Sequence, residues 1–110
     1  MDLTLEVRIE DGTPVLEVNG EVDIYTAPKL REKLIELIDA GNDRVVVDLE
    51  GVGFMDSTGL GSLVAGLKRI REKDGELAIV CTSGPVLKVL GITGLDRVFP
   101  VHDSVGSALG

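Results

Sequence analysis

The chain has 110 residues, of which 44% are apolar and 27% charged, and its formal net charge is -8. That length fits one domain, and such a chain buries roughly 65% of its extended surface, enough for a core without covalent or metal staples. The acidity argues against nucleic acid and anionic lipid as partners, while a single Cys81 and a single His102 exclude an internal disulfide and the usual four-ligand zinc site.

No apolar run approaches the ~20 residues of a membrane span, and Met1-Asp2-Leu3-Thr4 lacks the basic start of a signal peptide. A reducing, cytoplasmic location is therefore expected. The charge is uneven: residues 1–56 carry a net of -9 and residues 57–110 a net of +1. An acidic half of this kind is either a solvated face or a surface that steers a basic partner protein.

Leu3, Leu5, Val7 and Ile9 alternate with polar residues, the period of a half-buried strand. An Asp11-Gly12 turn and the run Val15, Leu16, Val18 complete a predicted hairpin over residues 2–20. Thr26-Ala27-Pro28 reads as a helix start with Thr26 as cap. Leu30, Leu34, Leu37 and Ile38 share one face of that helix, and Gly41 ends it. Val45-Val46-Val47-Asp48-Leu49 does not alternate, which predicts a strand covered on both faces.

Leu60, Leu63, Val64, Leu67 and Ile70 predict a second amphipathic helix, with Lys68, Arg69, Arg71 and Lys73 at its C-terminal end. Leu77 to Cys81 is a further buried strand. Pro85 opens a short helix through Leu90 that Gly91 closes, Val98 to Val101 is a short edge strand, and Asp103 caps a last helical turn. The order is β-β-α-β-α-β-α-β-α. It predicts a single α/β domain over residues 1–110, with a mixed, mainly parallel sheet and an antiparallel first strand.

Groups for catalysis are scarce. His102 reads as a surface histidine and Cys81 as a small buried hydrophobe. No Gly-x-Ser-x-Gly elbow is present, and Gly59-Leu60-Gly61 lacks the rest of a dinucleotide or phosphate loop. Asp48 near a strand end resembles the phospho-acceptor of response-regulator receiver domains. The acids those domains place after their first strand fall here in the hairpin turn, as Glu10-Asp11, and Phe99-Pro100 stands where they carry Lys-Pro.

The dense segment is Gly53-Phe54-Met55-Asp56-Ser57-Thr58-Gly59-Leu60-Gly61, between a buried strand and a helix. Asp56, Ser57 and Thr58 are all good caps, and the free N–H groups of a helix start favour anions. Gly59 and Gly61 cost about 1 kcal/mol each in helix propensity relative to Ala. Two causes fit: tight packing within the chain, or close approach of a partner. A hydroxyl here is also a sensible phosphorylation target, since a phosphate adds about -1.5 to -2 charges without opposing the helix dipole.

Asp56-Ser57-Thr58-Gly59-Leu60-Gly61, preceded by Val45 to Leu49 and Phe54-Met55, resembles the bacterial anti-sigma factor antagonists, which are STAS domains. Gly20-Glu21-Val22-Asp23 with Thr26-Ala27-Pro28-Lys29-Leu30 is similar to a second signature of that family, and Ile92-Thr93-Gly94-Leu95 with Val98-Phe99 to a third. The resemblance spans nearly the whole chain in the same order.

It implies a protein that is no enzyme and needs no cofactor or metal. Its partner would be an anti-sigma factor that is a serine/threonine kinase, and binding would release a sigma factor. The kinase would phosphorylate Ser57, which ends binding, and a serine phosphatase would reset the switch. Asp56 precedes the acceptor, Thr58 is a possible secondary site, and Asp23, Tyr25, Gly59 and Gly61 would join the partner surface. Asp23 reads equally well as a turn residue, and Tyr25 as a half-buried loop aromatic. A STAS scaffold or ligand sensor that ignores phosphorylation is the alternative.

Overall fold

The computed structural model describes residues 2–110. The Asp-Gly signal is a tight turn: Asp11 and Gly12 both have positive φ, at 51° and 77°. That is the backbone a two-residue hairpin of primed type demands. It joins β1 (Leu3–Glu10) to β2 (Thr13–Val22) as an antiparallel pair. After α1 (Ala27–Asp39) come β3 (Arg44–Met55), α2 (Ser57–Arg71) and β4 (Glu76–Val80). Then follow α3 (Gly84–Thr93), a 3-10 turn at Leu95–Arg97, β5 (Val101–His102) and α4 (Val105–Leu109).

The five strands lie in sequence order, and every pair after β1–β2 is parallel. The fold class and element order read from the sequence are those of the structure. Val45, Val46 and Val47 are fully buried because the sheet has a core on each side. On one side Leu30, Leu34 and Ile38 of α1, Leu63, Leu67 and Ile70 of α2, and Val86 and Leu90 of α3 cover the sheet. On the other, α4 lays Ala108 over Val15, Val46, Ala78 and Val80. Arg44 holds α4 in place by donating to the carbonyls of Ala108 and Leu109, the latter at 3.2 Å.

Four local expectations change. β3 does not stop at Leu49 but runs to Met55, so Asp48 is buried in mid-strand rather than near an end. The extension pairs Asn19 with Gly51 after a shift in register. A Cβ on Gly51 would lie 1.8 Å from Asn19 Oδ1, so the glycine leaves room for the Asn19 side chain within the sheet and does not mark a loop. α3 passes through Gly91 to Thr93 and ends at Gly94, whose φ of 76° makes the left-handed cap.

Val98 and Phe99 are not in a strand. Phe99 is buried in the main core, and β5 begins only at Val101. Pro100 still serves the ladder, because its carbonyl accepts from the Ile79 N–H at 2.9 Å. Finally, α4 is capped by Ser104, not Asp103: the Ser104 hydroxyl accepts from the Ser107 N–H at 3.1 Å.

Candidate functional site

The C-terminal ends of β2 and β3 meet where the Asp56 N–H donates to the Val22 carbonyl at 3.2 Å. This contact sets the start of α2 beside the loop into α1. Of the three possible caps, Asp56 takes the role. Its backbone is extended, and Oδ1 accepts from the N–H of Thr58 at 2.9 Å and of Gly59 at 3.2 Å. The Thr58 hydroxyl donates to the same oxygen. This hydroxyl bond first, then the amides, holds the Asp56 carboxyl below its ordinary pKa.

A depressed carboxyl stabilises the fold fully above the unfolded-chain value, about 3.9, and loses that contribution as pH falls through the folded value. Asp56→Ala is therefore expected to cost about 1 kcal/mol near neutral pH. In urea titrations the gap to wild type should begin to narrow as pH falls below about 3.9 and keep narrowing as the acid range deepens. A gap that does not shrink at all across the acid range would contradict an ionised cap.

Ser57 is the first residue of α2 and is exposed. No described residue bonds its hydroxyl, whereas that of Thr58 is engaged by Asp56. The two adjacent hydroxyls are thus unequal: one is free to solvent and one is tied into the cap.

Asp23 organises the facing loop. Its Oδ1 accepts from the N–H of Tyr25 at 2.9 Å and of Thr26 at 3.0 Å. The Thr26 hydroxyl donates to the Glu21 carbonyl at 2.8 Å and accepts from the Asp23 N–H at 2.9 Å. Thr26 is therefore a clasp for the loop and makes no side-chain cap on α1. The Thr26 amide leads in drawing the Asp23 pKa down, and the Asp56 charge opposes it, so the two carboxylates feel one another. The clasp displays Tyr25, which is 87% exposed rather than half-buried, and Ile24 at 63%.

The two glycines separate. A Cβ on Gly59 would sit 2.7 Å from both Met55 Cγ and Val22 Cγ1. Its missing side chain is filled by this chain's own core. A Cβ on Gly61 would meet nothing within 4 Å. Gly61→Ala is accordingly expected to raise stability, by up to about 1 kcal/mol in urea unfolding. A loss of stability would show an unseen constraint at that position.

Gly61 lines an open groove of ≈ 410 Å³ with Ile24, Pro28, Arg31, Thr58 and Ser62. The floor is firm, because the buried Ser62 hydroxyl donates to the Ala27 carbonyl at 2.9 Å and ties α2 to α1. Sequence reasoning missed Ile24 and Arg31. The signal for Ile24 was present: an apolar residue beside Tyr25 in a strand-to-helix loop, outside any periodic pattern. Arg31 left no signal, since an arginine on a helix is ordinary.

Cys81 follows β4, is buried, and has its thiol pKa pushed up by burial, which suits a packing role. On β5, His102 Nδ1 lies 3.1 Å from Ser107 Oγ, two strands across the sheet from β3, which Ser57 follows. No described group of three or more His, Cys, Asp or Glu side chains is placed to hold a metal ion. No described helix is long and apolar enough to cross a membrane.

The STAS domain model matches residues 4–108 of this chain. The chain is 38% identical over 103 residues to an anti-sigma-B factor antagonist of Staphylococcus aureus, covering 94% of this chain and 95% of that one. It is 32% identical over 110 residues to an anti-sigma F factor antagonist of Paenibacillus polymyxa, covering 99% and 94%. A crystal structure of an anti-sigma factor antagonist from Mycobacterium paratuberculosis superposes with a TM-score of 0.91 at 30% identity, covering 98% of this chain and 92% of that one. Each of these relatives is named as an antagonist of an anti-sigma factor. The order of elements, the strand pairing and the match along residues 4–108 agree, and the chain is a member of the STAS domain family.

Proposed function

We propose that this protein is a cytoplasmic anti-sigma factor antagonist, switched off by phosphorylation of Ser57. The observation that carries the reading is the asymmetry at the start of α2: Ser57 offers a free, exposed hydroxyl while Asp56 holds Thr58 and Gly59. On the facing loop, Ile24 and Tyr25 give a largely exposed apolar platform, and Ile24 shares a groove with Thr58. The relatives' names supply the partner class, an anti-sigma factor.

In this reading the partner is an anti-sigma factor that is also a serine kinase, and it covers Ser57, Tyr25 and Ile24 together. Asp23 contributes by holding the loop as well as by its charge. Gly61 lets the partner approach, whereas Gly59 sets the position of Ser57 from below. Thr58 is a poor acceptor because its hydroxyl is engaged. A serine phosphatase returns the chain to the binding state, and ATP and its metal belong to the kinase.

Paired pull-downs from the source cell with Ser57→Ala and Ser57→Glu baits test this. A kinase retained by the first bait and lost from the second is the expected result. Identical captures would reject the switch at Ser57 and favour a scaffold that ignores phosphorylation.

A further inference from the structure

β1 forms a long outer edge of the sheet. We propose that this edge pairs with β1 of a second copy of the chain, antiparallel and centred on Val7.

The backbone sets which groups are free. In a two-residue hairpin turn, Glu10 and Thr13 exchange hydrogen bonds. Counting back along the unbroken register, Arg8, Glu6 and Thr4 also bond inward to β2. The N–H and C=O groups of Leu3, Leu5, Val7 and Ile9 therefore point outward. Lys29 confirms the direction independently, since its Nζ donates to the Leu3 carbonyl at 2.8 Å across the edge. No described residue bonds the outward groups of Leu5, Val7 or Ile9.

Of the usual guards of an edge, this stretch carries charges, Glu6, Arg8 and Glu10, but neither of the devices that block pairing outright. It has no proline and no bulge, and Val7 and Ile9 are 38% and 64% exposed. A two-fold pairing can be centred on Leu5, Val7 or Ile9 to use outward groups on both strands. Centring on Leu5 needs the Leu3 carbonyl, which Lys29 holds. Centring on Ile9 sets Val7 opposite Asp11, in the turn, and leaves a short overlap.

Centring on Val7 sets Leu5 opposite Ile9 and Glu6 opposite Arg8, each twice. The Leu5, Val7 and Ile9 pairs would exchange about six backbone hydrogen bonds. The Glu6–Arg8 pairs fall at the non-bonded positions, where Cα atoms approach to about 4.5 Å and side chains are closest. Arg8 is already extended along this face by Glu10 at 2.7 Å and Glu17 at 2.6 Å, while Glu6 has no ion pair to a described residue. On the other face, Ile9 of the second copy lands beside Leu5, at the groove lined by Leu5, Lys29, Glu32, Lys33 and Glu36. Both strands thus present matching apolar stripes and opposite charges to themselves, the mark of an isologous contact. Ser57 follows β3, two strands inward, and stays open.

Sedimentation velocity on the full chain tests the pairing, from about 10 μM to about 1 mM, where weak dimers are read. Salt is held near 0.15 M, where screening over about 8 Å subdues the repulsion of the net charge. Wild type should show a reversible monomer–dimer equilibrium. Glu6→Arg alone and Arg8→Glu alone set like charges opposite each other, and each should weaken the dimer about tenfold or more. Their equimolar mixture restores both pairs and should form a heterodimer as tight as wild type. Val7→Pro, which removes an outward N–H at the two-fold axis, should abolish the dimer while circular dichroism shows the fold intact. A wild type that stays monomeric at every concentration, a dimer unmoved by the three variants, or a mixture no tighter than either variant alone would each overturn the proposal.

Discussion

Phosphorylated Ser57 is expected to bind the anti-sigma factor about 10³-fold more weakly than the unmodified chain, enough to turn a mostly bound population into a mostly free one. The start of α2 explains why the phosphate would not be absorbed within the chain. The N–H groups of Thr58 and Gly59, which would otherwise receive an anion, already serve Asp56. The Asp56 and Asp23 carboxylates lie close by and repel a second anion. The phosphate of the free protein therefore stays in water, beside a platform of Ile24 and Tyr25. A partner that covers the platform must strip that water and bury the charge, and leaving a charge buried without its partner costs about 3–5 kcal/mol. Ser57→Ala should bind as the unmodified chain does. Ser57→Glu should fall between, since it brings one charge instead of nearly two. Titration calorimetry with the purified anti-sigma factor reads all three, and a phosphorylated form within tenfold of the unmodified chain would reject the mechanism.

Gly59→Val is expected to cost about 3 kcal/mol, a large share of the roughly 5–15 kcal/mol that holds such a domain together. The Cβ would press Met55 and Val22 at 2.7 Å, and the branch adds atoms on both sides. Met55 and Val22 are themselves buried at the ends of β3 and β2 and have nowhere to retreat. The helix start would move outward, taking Asp56 and Ser57 with it. Urea unfolding measures the loss. A midpoint close to wild type would show that the two side chains repack, and the tight seat of Ser57 would then be wrong.

These two glycines also show where sequence reasoning stops. Gly59 and Gly61 are alike in the chain: both lie in the first turns of one helix and both lower its propensity. Their neighbours are set by the angle at which α2 leaves β3, which no local pattern records. The same limit applies to β3. The buried apolar run ends at Leu49, yet the strand continues to Met55, because Gly51 leaves room for the Asn19 side chain of the paired strand.

The order of elements was legible because each strand and helix announces its own period. Asp56, Ser57 and Thr58 were legible as a helix start, but the choice of Asp56 as cap depends on its extended backbone. Val98 and Phe99 misled for a different reason. A β-branched residue beside an aromatic suits a strand, yet here Phe99 fills the main core from the end of a 3-10 turn. Gly91 suits a helix stop by residue type, yet Gly94 is the stop, since of the two Gly94 alone takes positive φ and the Thr93 hydroxyl bonds back to Val89 to finish the last turn.

The two faces of the sheet are protected unequally, and this bears on how the protein would fail. Three helices guard one face, whereas five residues of α4, tethered by Arg44, guard the other. None of the strand-to-strand hydrogen bonds passes through α4. If that short helix lifts, Val15, Val46, Ala78 and Val80 meet water while the sheet stays whole. Such a species would keep its far-ultraviolet spectrum and its protected strand amides, and would still bind hydrophobic dyes and associate with its like. Loss of solubility in this protein would then precede loss of secondary structure, and its origin would lie at the opposite surface from Ser57.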